Sequence, residues 1–583
     1  MQHDVFADSW VATDALGREL PGHDECGGPR PNRFVGIFYF LCNNYAGPEA
    51  PADVSKILAA DPGHPQFIPH FGHYWGEPEA GYYRSGDRWV IRRHAYQLAD
   101  AGVDTLIFDV TNNHTFPQIY TAICEVFRQV RGEGEKTPDI CFLASHKSAL
   151  KLWEEFYSKG LFADLWFQWK GKPLLLFGHH AELHGDMNQV VFPQPMQDFF
   201  TIRKSWAWDS LAWYGEEGHH RWPWVAHYPQ CVGWDTPGVA EQVPVAVGQH
   251  PLSNIGRSFH NGRQPETNEF DVTLYTGQGR HFAEQWQRAL EVDPEFIFIT
   301  GWNEWMAGSM VCKDPSQEAL QALWSFYPGA QLGRAGRELH AGDVYFIDQY
   351  NQEFSRDAEP MRGGHSDNYY YQMIAGIRRF KGVRPIEKAS PPKTIMLQES
   401  FAQWDDVRPE YCDHLYETLP RDEPGWGSVG RYVNTSGRNE FIRLKMSYDA
   451  EYLYCYAQTR APISPYNDPN WMMLFLNTDQ RKETGWEGYD FLINWPALEG
   501  GATTVKHNLG GWRWEQCGEA RYRVEGNQLM LAVPRALVGL DNRPAHFDFH
   551  WVDNLQRPGE IEDFFLSGDS APPRRFDYRF LGE

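Results

Sequence analysis

Phe296-Ile297-Phe298-Ile299-Thr300-Gly301-Trp302-Asn303-Glu304-Trp305 is the stretch whose reading decides the fold. An apolar and β-branched run without polar alternation predicts a strand buried on both faces, as in parallel sheets covered by helices. The run stops at a glycine, after which a carboxylate stands between two indoles and beside an amide. In α/β barrels the chemistry sits just past the carboxyl ends of the strands, so Glu304 is the leading catalytic candidate. Trp302 and Asn303 are candidate substrate contacts, because indole faces and an amide suit a hydroxylated ring. The alternative is a structural carboxylate satisfied by nearby backbone, with the tryptophans in the core.

Working outward from this strand, seven further segments alternate with helical ones. Arg33–Leu41, Val103–Asn113, Asp139–His146 and Lys172–Phe177 read as the first four strands. Phe199–Lys204, Pro223–His227 and Val243–His250 read as the fifth to seventh, and Phe296–Thr300 is the eighth. Helical periodicity is expected over Trp89–Ala101, Pro117–Arg131, Ser148–Lys159, Phe282–Leu290, 317–326 and Tyr369–Phe380. This α/β alternation predicts a (β/α)8 TIM barrel over residues 33–388, preceded by a Gly/Pro-rich arm at 1–32. Ala389-Ser390-Pro391-Pro392-Lys393 reads as a linker. Beyond it, Glu451–Ala457, Trp471–Asn477, Asp490–Trp495, Leu529–Val533 and His546–Trp551 are short strands divided by Gly, Asn and Asp turns. They predict an all-β sandwich domain over 395–583.

At 583 residues two domains are expected, and a formal charge of −24 argues against nucleic acid and anionic membranes as partners. No run approaches the ~18 apolar residues that span a bilayer. Met1–Phe6 lacks the basic and apolar regions of a signal peptide. The expected location is nevertheless secreted or periplasmic with a signal removed, the cytoplasm being the alternative. Nine cysteines without a CxxC pair predict free thiols, not a disulfide framework or a zinc site. Tryptophan is abundant, 24 residues in all, which suggests exposed rings that stack on carbohydrate. No phosphate loop, dinucleotide fingerprint or nucleophile elbow is present.

Thr300-Gly301-Trp302-Asn303-Glu304-Trp305 resembles the Trp-Asn-Glu-Trp segment of glycoside hydrolases related to families 71 and 99. The resemblance implies a (β/α)8 enzyme acting on α-linked glycans. Tyr448-Asp449-Ala450-Glu451-Tyr452-Leu453-Tyr454, Leu474-Phe475-Leu476-Asn477-Thr478-Asp479 and Trp551-Val552-Asp553-Asn554 are similar to a family 9 carbohydrate-binding module. The family's first carboxylate, which assists the neighbouring 2-hydroxyl, maps onto Glu304. Its acid/base partner three residues later has no counterpart, since that position is Ala307.

Glycoside cleavage ordinarily takes two carboxyl groups, one protonated and one ionised. Asp109, ending the second strand beside Asn112 and Asn113, is the expected catalytic partner, unless it only holds its own turn. Glu266 and Glu269 are alternatives. Trp75, Glu77, Asn112, His146, Trp213, Gln249 and Glu353 complete the expected substrate contacts, although Arg356 makes a structural ion pair with Glu353 equally reasonable. His146 and His250 end strands and are equally reasonable as interior residues. The pairs His179-His180 and His219-His220 lack the spacing of a metal site. Trp206, Trp208 and Trp213 follow the fifth strand, where rings can wall a cleft. In the sandwich, Trp404, Trp471 and Trp486 are candidate stacking platforms, and Asp468, Asp479 and Asp490 are oxygen ligands available to calcium. No cofactor is required. The expected activity is hydrolysis of a poly- or oligosaccharide. A catalytically silent glycan-binding barrel and a lyase are the alternatives, and the oligomeric state is open.

Overall fold

The computed structural model describes residues 3–582 apart from 62–64, 69–71, 179–190, 206, 208–220, 237, 250, 252–253, 266–274, 315–339 and 347. Seven parallel strands organise the first half: β1 (Phe34–Tyr39), β2 (Thr105–Val110), β3 (Asp139–Ala144), β4 (Lys172–Phe177), β5 (Thr201–Lys204), β6 (Val239–Ala246) and β7 (Phe296–Thr300). They lie in the order β6-β7-β1-β2-β3-β4-β5. Gly233–Thr236 and Gln168–Trp169 add short antiparallel strands to β6 and β4, which makes a nine-stranded sheet.

The sheet is rolled. Phe34 on β1 and Trp169 lie four strands apart, about 19 Å in a flat sheet at ~4.8 Å per strand. Their ring centroids are 5.6 Å apart. Period-two alternation sends Phe38, Ile107, Leu143, Leu176, Phe296 and Phe298 inward to fill the roll. Val35, Ile37, Leu106, Phe108, Ile297 and Ile299 face outward, into the cluster that takes up the helices. Gly36 is glycine for a steric reason: a Cβ there would stand 2.5 Å from the Phe296 ring.

The expected sixth strand is not a ladder. Arg221 and Val225 make isolated parallel bridges to Lys204 and Ala207, while Pro223 has no N–H to donate. Side chains do the joining instead. The Gln242 amide donates to Pro223 O at 2.8 Å. The Glu241 carboxylate gathers both Arg203 nitrogens (2.6 and 2.8 Å) and the indole N–H groups of Trp169 (2.8 Å) and Trp222 (2.6 Å). Among the described residues, therefore, the roll is not a continuously hydrogen-bonded ring of eight strands. The expected fifth strand starts later, because Gln194–Phe199 is helical. The expected helix at Ser148 begins at His146 and passes into a π-helical turn, Trp153–Tyr157. The helix expected at 317–326 lies outside the described residues.

Eleven strands of the C-terminal region, with one from the N-terminal arm, form a twelve-stranded antiparallel sheet folded onto itself. Phe441 meets Trp551 at 6.0 Å and Tyr448 meets Phe580 at 5.9 Å, although their strands are far apart in the sheet order. Val11–Ala12 of the N-terminal arm pairs with Phe576–Leu581, so the arm is a strap and not a loose lead-in. The nine cysteines are free. No helix among the described residues is long and apolar enough to cross a membrane.

The two halves are bolted together by buried charge. Arg421 pairs with Asp87 at 2.6 Å, Arg575 with Asp367 at 2.9 Å, and Arg574 with Glu79. His414 sits between Asp100 (3.0 Å) and Glu135 (3.1 Å). Burial alone would push the His414 imidazole down, but the two carboxylates outweigh it and hold it well above its usual range. Nearby, burial pushes Asp413 and Asp569 well up and Glu417 up to about 7. Both Asp413 carboxylate oxygens are buried without a hydrogen-bond partner among the described residues.

These shifts set the sign of a pH dependence. A raised histidine contributes stability that is lost as pH rises through its folded value. A raised carboxyl also costs stability as pH rises, because the unfolded chain releases that proton first. Glu135, which is lowered, works the other way on a smaller scale. His73, His227, His281, His365 and His550, all lowered by burial, gain stability as pH rises toward 7. The melting temperature by scanning calorimetry is therefore expected to fall as pH is raised from about 7 to about 9, where they are already neutral. Asp413→Asn should flatten the decline; a constant or rising melting temperature across that span would refute the account.

Candidate active site

Glu304 is placed by a backbone that is tied down on every side. Trp302 N–H donates to Phe38 O at 2.9 Å, and Ala358 and Glu359 N–H groups donate to Gly301 O (2.9 Å) and Trp302 O (3.0 Å). The Asn303 amide clamps Phe40, accepting from its N–H at 2.7 Å and donating to its carbonyl at 3.2 Å. Glu304 N–H donates to Asp357 Oδ1 at 2.9 Å, and Trp75 Nε1 donates to Glu304 O at 3.0 Å. These bonds follow from the abrupt end of β7, whose last residues would otherwise bury unpaired polar groups.

The Glu304 side chain turns into the carboxyl end of the roll. Its Oε2 accepts from Arg356 Nη2 at 2.7 Å and from Gln349 Nε2 at 2.8 Å, and 9% of the side chain stays exposed. Arg356 is fixed in turn. Its Nη1 donates to the carbonyls of Gln249 (3.0 Å) and Asp348 (3.1 Å), and its guanidinium lies 5.7 Å from the Trp224 ring centre. Gln349 completes the loop, accepting from Arg356 N–H at 3.0 Å while its amide also reaches Asp357 at 3.3 Å.

Burial is the dominant influence on the acids here. It pushes Glu304 up to about 8, with Asp348 and Asp357 adding to the effect and Arg356 opposing it. Asp357 is raised to about 6, again by burial, against the Glu304 N–H bond and the guanidiniums of Arg356 and Arg257. Asp109 is raised by burial, opposed by its bonds to Thr111, and it feels both Asp348 and Arg356. The Cys42 thiol is raised by burial and then by Asp109 and Glu304. A buried carboxyl kept protonated near neutral pH, supported by fixed donors, is equipped to deliver a proton.

The expected site residues divide into two groups. Glu304 and Asp109 share the carboxyl end of the strands, with Asn112 exposed beside Asp109 and His146 half-buried at the start of the next helix. Asp109 Oδ1 accepts from Thr111 N–H (3.0 Å) and Oγ1 (2.8 Å), so it also holds its own turn. Trp75, Trp302, Asn303, Gln249 and Glu353 belong instead to the frame. Trp75 stacks on Trp305 at 4.2 Å, both fully buried, and Trp302 packs edge-on to His94 and Tyr370. Neither indole offers a face to a sugar. The Gln249 amide donates to Ala226 O at 2.7 Å. Glu353 is fully buried and accepts from Ser258 N–H and Oγ (both 2.8 Å), Thr276 Oγ1 (2.9 Å) and Gln264 Nε2 (2.5 Å), so it is a structural carboxylate. The expected Glu353–Arg356 ion pair is replaced by Glu304–Arg356. Glu77 is paired with Lys56 (2.5 Å) and Arg362 (3.5 Å).

Ala307 lies in an apolar cluster with Val54, Phe346 and Phe354, so a carboxylate at that position would meet hydrocarbon. Trp213, Trp206, Trp208, His250, Glu266, Glu269 and the two histidine pairs lie outside the described residues. Arg356, Gln349, Asp357, Asp348 and half-buried Trp224 were missed by sequence reasoning. The polar density of Gln349–Asp357 was the available signal for the first four.

In the C-terminal region Trp404, Trp471 and Trp486 are buried, and the indoles with exposed area are Trp495, Trp512 and Trp514. Asp468 faces Arg438 at 3.5 Å, Asp479 accepts from Arg481 N–H, and Asp490 accepts from Thr478 N–H. Among the described residues no group of three or more His, Cys, Asp or Glu side chains is set to hold a metal.

No protein-family model matches the chain, and no curated protein matches it. Among solved structures, the GH99 endo-alpha-mannosidase from Bacteroides thetaiotaomicron is similar over 60% of this chain and 98% of its own, with 14% identity and a TM-score of 0.33. Its complex with BIS-TRIS-Propane gives 59%, 97%, 13% and 0.31. A glycoside hydrolase-like protein gives 61%, 98%, 13% and 0.27. Likenesses this distant carry no weight in assigning activity.

Breaking the buried pair has a defined cost. Arg356→Met is expected to lower the unfolding free energy in urea by about 1.5–3 kcal/mol, because Glu304 Oε2 loses its hydrogen bond from a charged donor. Glu304→Gln should then cost less in the Arg356→Met background than it does alone, because the hydrogen bond the two share is already gone. Strictly additive effects would contradict the pairing.

Proposed function

We propose that this protein is a glycoside hydrolase that cleaves a glycosidic bond of a poly- or oligosaccharide at the carboxyl end of a (β/α)8-type roll. One observation carries the reading: Glu304 is a buried carboxyl, raised to about 8, that keeps an accessible edge among further acids, and its partner Arg356 lies against Trp224. In glycoside cleavage a protonated acid delivers its proton to the leaving oxygen while a second carboxylate meets the positive charge growing at the anomeric carbon. Glu304 takes the first part. Arg356 and Gln349 hold its Oε2 and so aim the carboxyl. Asp109, raised by burial and tied to Thr111, adds a further acid at the same end of the strands. Trp224, half-buried and stacked on Phe38 at 5.4 Å, provides an indole edge for a sugar ring. The C-terminal sheet is read as a glycan-binding module, with Trp495, Trp512 and Trp514 as its stacking surface.

Glu304→Gln keeps an oxygen able to accept from Arg356 and Gln349, so the fold should survive. Reducing-end release from a panel of starch, dextran, α-mannan and xylan should fall by at least about 10²-fold. Wild-type activity on the cleaved substrate should decline as pH rises through about 8, where the proton donor is lost. Undiminished release by the variant would refute the role of Glu304, and no release from any substrate by the wild type would favour a glycan-binding protein.

A further inference from the structure

Glu304 as proton donor leaves the second carboxyl group to be found, and the identity of that group has meaning only if the glycosidase reading holds. Most acids near Glu304 are spent. Glu353 has four donors on it. Glu359 is occupied by His94, Tyr83 and Trp305, and Asp357 by Glu304 N–H and Gln349. All three are buried. Asp109 is 8% exposed and its Oδ1 closes its own turn onto Thr111. Asp348 differs from all of these. Its side chain is 59% exposed, and its Oδ1 lies 3.9 Å from Arg356 Nη2, the nitrogen that holds Glu304 Oε2 at 2.7 Å.

We propose that Asp348 is the second catalytic carboxylate, the nucleophile that works with Glu304 across the shared Arg356 guanidinium. The two carboxylate oxygens can be no further apart than the sum of those two lengths. That limit spans the ~5–5.5 Å of glycosidases that attack directly and stops at the very start of the ~6.5–9.5 Å that leaves room for an intervening water. In the first step an Asp348 oxygen bonds to the anomeric carbon as the bond to the leaving oxygen breaks, and the Glu304 proton passes to that oxygen. This yields a glycosyl ester on Asp348 and a free alcohol. In the second step water attacks the same carbon and gives its proton to the Glu304 carboxylate. The ester bond breaks, Asp348 departs as carboxylate, and the sugar leaves with its anomeric configuration retained. Arg356 remains between the two acids and offsets charge on whichever is ionised.

The test uses the full chain and the substrate of the polysaccharide panel that the wild type cleaves. Asp348→Ala and Asp109→Ala are assayed with and without sodium azide, and the anomer first released by the wild type is read by proton NMR. Asp348→Ala is expected to lose at least about 10²-fold in turnover. Azide, a small anion that enters the vacated space, should restore at least part of it and yield a glycosyl azide, an effect no purely structural loss would show. Asp109→Ala should show no azide rescue, and the wild-type product should keep its configuration. Retention of most activity in Asp348→Ala, loss without rescue, or an inverted product would each overturn the proposal. Rescue of Asp109→Ala in its place would make Asp109 the partner and leave the glycosidase reading standing. No cleavage by the wild type would remove both.

Discussion

A carboxyl group and a guanidinium, both taken out of water, hold the centre of this protein together. Glu304 and Arg356 lie 2.7 Å apart with almost no exposed surface. Desolvation at such a site costs more than the contact alone returns, so it persists only where every other hydrogen-bonding group is satisfied. The segment Gln349–Asp357 meets that demand. Gln349 bonds Glu304, Asp357 and the Arg356 backbone together, and Asp357 accepts the Glu304 N–H. Glu353 anchors the segment from below through Ser258, Thr276 and Gln264. A run of polar residues is thereby buried at the end of a hydrophobic strand, and burial, with Asp348 and Asp357 adding to it, raises Glu304 into a range useful for proton transfer.

The roll of the parallel sheet decides what that acid can meet. Its curvature turns the ends of β2 and β7, which carry Asp109 and Glu304, to the same end of the roll, and after burial both acids push the Cys42 thiol up. Closure depends on side chains where the backbone cannot supply a ladder. Pro223 has no donor, and Glu241 compensates by drawing Arg203, Trp169 and Trp222 onto one carboxylate. The same segment carries Trp224 to the Arg356 guanidinium. A structural repair in the lower part of the roll thus positions an indole at the upper end.

The C-terminal sheet is joined to the roll too firmly to be a passive appendage. Arg421, Arg574, Arg575 and His414 each reach a buried carboxylate of the first half, and the N-terminal arm crosses back to pair with Phe576–Leu581. Unpairing any of these would strand a charge in a dry interface.

Local pattern was enough to reveal much of this. β4 and β7 appear with the bounds that their apolar runs imply, because a run buried on both faces admits little else. The change to short antiparallel strands after the Pro-rich linker was legible for the same reason, as was Glu304 at a strand end. Pro223–His227 misled, since an apolar run does not say whether its neighbours can hydrogen-bond to it. The roles of the aromatic residues were decided only in three dimensions. Trp302 and Trp305 look like sugar platforms beside Glu304 in the chain, yet packing buries both, while Trp224 reaches the site from 80 residues earlier. Arg356 likewise stands three residues from Glu353 and 52 from Glu304, and it chooses the distant carboxylate. Periodicity and breakers act over neighbouring residues, and sequence can carry them; charge pairing and burial act through space, and only the folded chain determines which groups come within reach.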